Sequence, residues 1–228
     1  MSARPDFDAS GKNMNHGPNP PSSRLAALLV VADLAQLDSV QAHRFEDYLS
    51  LLLRWNSRIN LTAIRDEDGI LSRHFVESIA CARALPAGIS TLLDFGSGAG
   101  LPGIPIALCR PEIAVTLAES QGKKAAFLQE AVRALGISAR VYSGRAETLT
   151  SQFGCVTLRA VDRMAQAVQA AAHLVRPRGW LALMTTGEEF DALKKAAGAE
   201  FTWPSVVQLP GGGDRVLALG ERDVSSPI

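Results

Sequence analysis

The first third of the chain repeats its apolar side chains at helical spacing. Large apolar residues recur there three and four positions apart, as in Phe45, Tyr48 and Leu52. This spacing places an apolar stripe along one side of a helix. Asp66 precedes a further stripe and is of a residue type that caps helix N-termini. The pattern therefore predicts a helical section over residues 24–86.

The period changes after Pro86, where short runs rich in valine, leucine and isoleucine alternate with helical stretches. This alternation predicts a parallel sheet that helices cover on both faces. Two last runs flank the sequence GGGD, which predicts an antiparallel hairpin. The predicted fold class is therefore α/β, with a mostly parallel seven-stranded sheet and a C-terminal antiparallel hairpin. The predicted strands are residues 91–95, 114–120, 139–143, 155–160, 179–185, 204–210 and 215–220.

The N-terminus shows neither pattern. Its first 23 residues are rich in proline, asparagine, serine and glycine, and their few large apolar side chains cannot offset the entropy that is lost on ordering. We therefore expect a disordered tail over residues 1–23. A helical extension over 24–86 and one α/β domain over 87–228 follow it, which suits a chain of 228 residues.

Charge and cysteine content exclude several function classes. Lysine plus arginine equal aspartate plus glutamate at 23 each, so a contact with nucleic acid requires a local basic patch. Cys81, Cys109 and Cys155 are odd in number and widely spaced, which fits neither a disulfide framework nor a zinc site. No apolar run reaches the roughly 20 residues that span a bilayer. We expect a cytoplasmic protein with no metal site and no membrane segment.

The first predicted strand leads into the glycine-rich segment DFGSGAGLPGIP. From Asp94 it fits the D-x-G-x-G-x-G spacing of loops that bind S-adenosylmethionine, with Gly96, Gly98 and Gly100 as the glycines. From Gly98 it equally fits the G-x-G-x-x-G fingerprint of dinucleotide-binding folds. Both spacings place bare backbone next to a ligand, so the position of the strand end has to decide between them.

Strand one is predicted to end at Asp94 or Phe95, which makes Gly96 the first residue of the turn. Leu101 then stands where the third glycine of the dinucleotide fingerprint belongs. An acidic Asp94 also suits a ligand with a sulfonium and an ammonium group better than one with a pyrophosphate. The loop therefore favours S-adenosylmethionine over NAD.

The next two strand ends carry groups that match the same ligand. Glu119 ends strand two, where a carboxylate can accept hydrogen bonds from ribose hydroxyls. After strand three, the backbone amide of Ala146 and the carboxylate of Glu147 are placed to meet an adenine edge. Since the carboxyl ends of parallel strands share one edge of the sheet, three successive strand ends address one ligand.

Strand four narrows the choice of methyl acceptor. It lacks the Asn/Asp-Pro-Pro-aromatic turn of exocyclic-amine methyltransferases, and no cysteine follows a proline as in pyrimidine carbon-5 enzymes. Guanine N7 has a free lone pair and needs only alignment with the methyl donor. Arg159 at this strand end matches the O6/N7 face of guanine, although it could equally pair with a carboxylate such as Asp162.

Several of these segments resemble one bacterial protein family. WNSRINLTAI, GSGAGLPGIP, ESQGKKAAFL and GRAE occur in this order within residues 49–163 and are similar to the ribosomal RNA small subunit methyltransferase G family, also called glucose-inhibited division protein B. The resemblance implies a Rossmann-like class I methyltransferase with S-adenosylmethionine as its cofactor. It further implies an enzyme that methylates N7 of a guanine in the decoding-region loop of 16S rRNA, with the rRNA or the 30S subunit as partner. We expect this enzyme to be a monomer.

Carried over by position, the resemblance also implies the site residues. The cofactor-binding residues would be Gly96, Leu101, Ala146, Glu147 and Arg159, with support from Asp94, Gly98, Gly100 and Glu119. Arg159 is also the candidate for positioning the target base, and no residue is assigned to acid–base catalysis. At the end of strand four the family more often has the sequence Ser-Arg-Ala-Phe. In this chain Leu158 replaces the serine and Val161 replaces the phenylalanine, while Arg159 is kept.

Basic side chains near the predicted cofactor edge are candidates for RNA contact, although each fits a solvated helix face equally well. They are Arg54, Arg58, Arg65, Arg73, Lys123 and Lys124. His74 lies on the apolar side of its helix, so we expect a hydrogen-bonded histidine there and not a general base.

Two other function classes remain open on the sequence. An NAD-dependent oxidoreductase would use the glycines, but no Tyr-x-x-x-Lys or paired His and Asp is present to supply a proton. A non-catalytic adenosyl-nucleoside-binding protein would need the glycine-rich loop but no surface that binds a substrate.

Overall fold

The computed structural model describes residues 19–224. Its first part is a layer of helices, as the apolar spacing predicts. The helices are α1 (Pro21–Val31), α2 (Ser39–Asn56) and a short α3 (Glu67–Gly69), which continues through a π-helix (Ile70–Val76) into α4 (Glu77–Ala84). The Asp66 side chain accepts a hydrogen bond from the Gly69 amide at 2.7 Å, which confirms the predicted cap.

Helix α1 begins at Pro21, so the prediction of a tail up to residue 23 is wrong at its boundary. Proline suits the first turn of a helix because an N–H has no helical partner there. The Ser22 amide donates to Glu46 Oε1 at 3.0 Å, a contact that fixes the start of this helix on α2. Residues 1–18 of the predicted tail lie outside the described residues.

The second part is one seven-stranded sheet. In chain order the strands are β1 (Thr91–Phe95), β2 (Ala114–Ala118), β3 (Ala139–Tyr142), β4 (Phe153–Arg159), β5 (Val175–Thr186), β6 (Phe201–Gln208) and β7 (Arg215–Arg222). Their spatial order is β3-β2-β1-β4-β5-β7-β6. Strands β1 to β5 are parallel, and β7 is antiparallel to both β5 and β6. The predicted α/β class with its C-terminal antiparallel hairpin is confirmed.

Two apolar cores cover the two faces of the sheet. The helices that follow the strands are α5 (Gly103–Cys109), α6 (Gly122–Ala134), α7 (Met164–Leu174) and α8 (Gly187–Ala197), and a 3-10 helix spans Ala146–Thr148. One core joins the N-terminal helices, α5 and α6 to the sheet, and the other packs α7 and α8 against the opposite face. Burial on both faces explains why the parallel strands read as continuous apolar runs.

Tyr48 connects the helical layer to the loop after β1. Its ring stacks on Phe75 with the centroids 5.0 Å apart, and its hydroxyl donates to the Ala99 carbonyl oxygen at 2.6 Å. The N-terminal helices are therefore attached to the glycine-rich segment itself. This attachment brings helical residues to the carboxyl edge of the sheet, where ligands bind in folds of this kind.

Within residues 19–224, no helix combines the length and the apolar character that crossing a membrane requires. The same residues contain no cluster of three or more histidine, cysteine, aspartate or glutamate side chains arranged to hold a metal ion.

Candidate functional site

The loop after β1 requires glycine at three positions. Gly96, Gly98 and Gly100 have φ angles of 69°, 55° and 85°, in the left-handed region that side chains disfavour. A Cβ at Gly96 would lie 3.2 Å from Val161, and a Cβ at Gly100 would collide with Ile104. The D-x-G-x-G-x-G spacing therefore reflects a requirement of the backbone.

Asp94 lies beneath this loop and is almost fully buried. Its two carboxylate oxygens accept hydrogen bonds from the Thr157 hydroxyl at 2.8 Å and from the Gly103 amide at 3.2 Å. The carboxylate thereby fixes the first turn of α5 to the end of β4. Contrary to the expectation from its charge, Asp94 does not line the cavity above the loop, because the loop and the sheet enclose it.

The burial of Asp94 predicts a pH-dependent contribution to stability. Burial raises the pKa of this carboxyl from 3.8 to about 6, so between these values the native state holds a proton that the unfolded chain has released. The contribution of Asp94 to the free energy of unfolding therefore decreases as the pH rises from about 4 to about 6, and is constant above that range.

The variant Asp94→Asn isolates this contribution. The free energies of unfolding of wild type and variant are measured by urea titration at several pH values. The wild-type value minus the variant value should decline by roughly 2 to 3 kcal/mol across the acidic window, because a shift of one pKa unit corresponds to about 1.4 kcal/mol. A difference that is flat or rises with pH would contradict the raised pKa.

Glu119 at the end of β2 holds the same loop from above. Its Oε2 accepts a hydrogen bond from the Gly98 amide at 2.9 Å, and its Oε1 accepts one from the Gln121 amide at 2.7 Å. The side chain also lines the cavity above the loop. Since each carboxylate oxygen has a second lone pair, Glu119 keeps acceptor capacity for the hydroxyls of a ligand.

Two adjoining cavities form a cleft along the carboxyl edge of the sheet. The first, of about 500 Å³, lies above the loop, and the second has about 260 Å³. Among the predicted cofactor residues, the first cavity is lined by Gly96, Gly98, Leu101, Glu119 and Arg159, and the second by Gly96, Glu119, Ala146 and Glu147. Gly100, like Asp94, lies outside both walls, and its missing side chain makes room for α5.

Arg159 at the end of β4 lies deep in the cleft wall, with its side chain 15% exposed. The two hydrogens of its Nη2 are shared among three acceptors, which are Glu77 Oε2 at 3.0 Å, the Arg73 carbonyl oxygen at 2.9 Å and His74 Nδ1 at 3.0 Å. The suggested pairing with Asp162 is wrong, because Glu77 from α4 is the carboxylate that Arg159 binds.

Glu77 is the buried partner of Arg159, and the sequence patterns did not single it out. It is 1% exposed, and its Oε1 accepts a hydrogen bond from Arg215 Nε at 2.5 Å. One buried carboxylate thus ties α4 to the ends of β4 and β7. The sequence does show an acidic residue on the apolar side of a predicted helix. Because buried charges in proteins are paired, this position could have indicated a buried ion pair.

His74 is a neutral, hydrogen-bonded ring, as its place on the helix predicts. Its Nδ1 faces the guanidinium of Arg159, which can only donate, so Nδ1 is an acceptor and Nε2 carries the proton. Nε2 lies 2.6 Å from the hydroxyl oxygen of Thr62, a further residue that the patterns missed. Burial, with a smaller effect of Arg159, lowers the pKa of His74 to about 3.

A third cavity of about 510 Å³ lies beside the cleft and is lined by four basic residues, which we call the basic rim: Arg58, Arg65, Lys123 and Lys124. Lys124 lines both this cavity and the cleft, so the two are adjacent. Arg54, a candidate for RNA contact, is not part of the rim and pairs with Glu130 at 2.9 Å. Arg73 borders a fourth cavity of about 390 Å³.

Known sequences resemble this chain over most of its length. Residues 41–210 match the family model described as GidB, rRNA small subunit methyltransferase G. The Ribosomal RNA small subunit methyltransferase G of Xanthomonas campestris pv. campestris (strain 8004) is 40% identical over 217 residues, which are 92% of this chain and 100% of that protein. The protein of the same name from Stenotrophomonas maltophilia (strain K279a) is 46% identical over 151 residues, 65% of this chain and 70% of that protein.

Two solved methyltransferase structures share the fold at low sequence identity. The 16S rRNA N2 G1207 methyltransferase of T. thermophilus, in complex with AdoMet and guanosine, aligns with a TM-score of 0.51 and 20% identity over 67% of this chain and 40% of that chain. The ribosomal protein L11 methylase of Lactobacillus delbrueckii subsp. bulgaricus aligns with a TM-score of 0.55 and 11% identity over 64% and 77%. The predicted Rossmann-like fold is thereby confirmed.

Proposed function

Because the chain belongs to the rRNA small subunit methyltransferase G family, we propose that its cleft transfers a methyl group to N7 of one guanine in the decoding-region loop of 16S rRNA. The resemblance of its sequence motifs to this family is confirmed, and the chain is an S-adenosylmethionine-dependent methyltransferase. One observation carries the proposal. The glycine loop that Glu119 holds forms the floor of a cavity that Arg159 borders.

The residues of the cleft fit this cofactor. Gly96 and Gly98 leave the floor without side chains, and the volumes of about 500 and about 260 Å³ together lie in the range of small-ligand sites. Glu119 would accept hydrogen bonds from the ribose hydroxyls, and Ala146 and Glu147 would hold the adenine edge. When bound, the cofactor supplies a methyl group on a sulfonium sulfur.

The protein's own groups support N7 as the acceptor atom. Both ring nitrogens of His74 are engaged in hydrogen bonds, and the acceptor capacity that Glu119 keeps is assigned to the ribose hydroxyls, so neither side chain is free to deprotonate an amine. N7 needs no such group, because its lone pair can attack once it is aligned. Arg159 borders the cleft and the cavity of about 390 Å³, so we assign it the positioning of the O6/N7 face.

The basic rim is the part of the surface that we assign to the RNA backbone. Within residues 19–224, none of its four side chains pairs with a carboxylate, so their charges are available to phosphates. The partner is then 16S rRNA, alone or in the 30S subunit, which implies a cytoplasmic enzyme. We expect the enzyme to act as a monomer.

Replacing Lys123 and Lys124 together by alanine should weaken the salt dependence of RNA binding. Each lost phosphate contact lowers the slope of log affinity against log salt by about 0.7 to 0.9, so the double variant should show a slope flatter by about 1.4 to 1.8. Filter binding of 16S rRNA over a salt series measures this slope. Arg54→Ala is the matched control and should keep the wild-type slope, because Arg54 already pairs with Glu130. An unchanged slope in the double variant would remove the lysines from the interface.

The acceptor atom is tested on the methylated product. The enzyme is offered naked 16S rRNA, the 30S particle and tRNA in parallel, and the labelled RNA is treated with borohydride and aniline. Methylation at N7 makes the imidazole ring of guanine labile, so the rRNA should be cut at one site. A product that resists cleavage but stops reverse transcriptase would move the methyl group to N1 or N2. Absence of transfer to every RNA would favour the non-catalytic nucleoside-binding function.

A further inference from the structure

Thr62 lines the cleft, and a proton on Nε2 of His74 leaves the donor of the Thr62 hydroxyl unused. Its Oγ1 accepts a hydrogen bond from the Ile64 amide at 3.2 Å and a second from His74 Nε2 at 2.6 Å. A threonine hydroxyl offers two acceptor sites and one hydrogen. Both acceptor sites are therefore occupied, and the O–H has no acceptor among residues 19–224, although it sits at the wall of a ligand-sized cavity.

A chain of hydrogen bonds sets the direction of this hydroxyl. Glu77 accepts from Arg159, and Arg159 in turn donates to His74 Nδ1. Because a guanidinium has no acceptor, the ring proton of His74 must be on Nε2, and it is donated to Thr62. The backbone is also fixed, since the Thr62 amide donates to the side chain of the buried Asn56 at 3.0 Å. The O–H is thus preorganised as a donor.

The charges near Thr62 favour an anionic acceptor. Arg159 and Arg215 share the single carboxylate of Glu77, and His74 between Arg159 and Thr62 is neutral, so this hydrogen-bonded group next to Thr62 carries one positive charge in excess. Of the two cavities that form the cleft, Thr62, His74 and Arg159 line the first and not the second, whose wall Ala146 and Glu147 form. The one anionic group of S-adenosylmethionine is the carboxylate of its amino-acid tail.

We propose that Thr62 is a cofactor-binding residue whose hydroxyl donates a hydrogen bond to the carboxylate of the amino-acid tail of S-adenosylmethionine. The inference rests on the cofactor cleft proposed above and adds the group that recognises the tail. It assigns a role in cofactor binding to the loop between α2 and α3, which also carries Arg58 and Arg65 of the basic rim. The tail would then lie between this loop and the glycine loop after β1.

Calorimetry with two ligands tests the contact without any RNA. S-adenosylhomocysteine has the carboxylate, and S-adenosyl-3-thiopropylamine is the same molecule without it. Thr62→Val keeps the shape of the side chain and removes the hydroxyl. A hydrogen bond to a charged acceptor predicts that this variant binds S-adenosylhomocysteine about 10- to 100-fold more weakly than wild type. Both proteins should bind the thiopropylamine with affinities within about twofold.

Thr62→Ser is the matched control, since it keeps the hydroxyl and should bind S-adenosylhomocysteine within about threefold of wild type. Thr62→Ala replaces the valine variant if that protein does not fold. Equal losses for both ligands would mean that the hydroxyl only supports its loop, and no loss for either would mean that it has another partner. Both results would overturn the inference. Failure of the wild-type protein to bind S-adenosylhomocysteine would instead contradict the cofactor cleft.

Discussion

Exchange of Glu77 for glutamine should lower the free energy of unfolding by about 3 to 5 kcal/mol, the cost of removing one partner from a buried ion pair. Glu77 is 1% exposed and binds Arg159 at 3.0 Å and Arg215 at 2.5 Å. The amide cannot balance either charge, so two guanidinium groups would remain close together and poorly solvated. Thermal unfolding should show a midpoint lower by roughly 6 to 20 °C, at about 2 to 4 °C per kcal/mol for a chain of this size.

Glu67→Gln is the matched control for this result. Glu67 also pairs with an arginine, Arg24, but its side chain is 47% exposed. Exposed pairs contribute about 1 kcal/mol or less, so this variant should unfold within a few degrees of wild type. Methyl transfer should fall in Glu77→Gln, because Arg159 loses the partner that orients it, and should persist in Glu67→Gln. Similar midpoints for the two variants would contradict the structural role of Glu77.

The sequence predicted those elements whose apolar pattern is continuous. β1 was predicted to its last residue, Phe95, because its apolar residues precede a glycine-rich turn that marks where the strand ends. β5 begins at Val175, before the predicted residue 179, because Arg176 and Arg178 interrupt that run. α8 was not singled out by the sequence patterns, although its buried residues Leu193 and Ala197 lie four positions apart on one side of the helix.

The sequence predicted the part of the candidate site that consecutive residues form, and it did not predict the contacts between residues that are far apart in the chain. The glycine loop is a consecutive stretch whose left-handed backbone demands glycine, so its spacing is visible in the sequence. The contacts of Glu77 with Arg159 and Arg215 join positions 82 and 138 residues apart, and no period connects them. The sequence also could not tell that Asp94 points under the loop, because the hydrogen bonds that hold it depend on the packing of α5 on the sheet.

Valine in place of Gly98 should abolish cofactor binding and leave a folded protein. A Cβ at this position would have only the Gly96 carbonyl oxygen within 4 Å, at 3.8 Å, so the side chain would meet open space in the cleft and not the protein core. That space is the part of the floor that the cofactor approaches. The backbone φ angle of 55° would also be strained for a branched residue. This strain would disturb the hydrogen bond that the amide of residue 98 donates to Glu119.

Gly88→Val separates the two effects of this substitution. Gly88 has a φ of 81°, its added Cβ would meet nothing within 4 Å, and it lies outside the cleft. Each variant should lose about 1 to 3 kcal/mol of stability from backbone strain. Calorimetry with S-adenosylhomocysteine should show wild-type affinity for Gly88→Val and an affinity at least about 100-fold lower for Gly98→Val, as expected for a side chain placed where the ligand must lie. Wild-type affinity in a folded Gly98→Val protein would show that the cofactor does not rest on this loop.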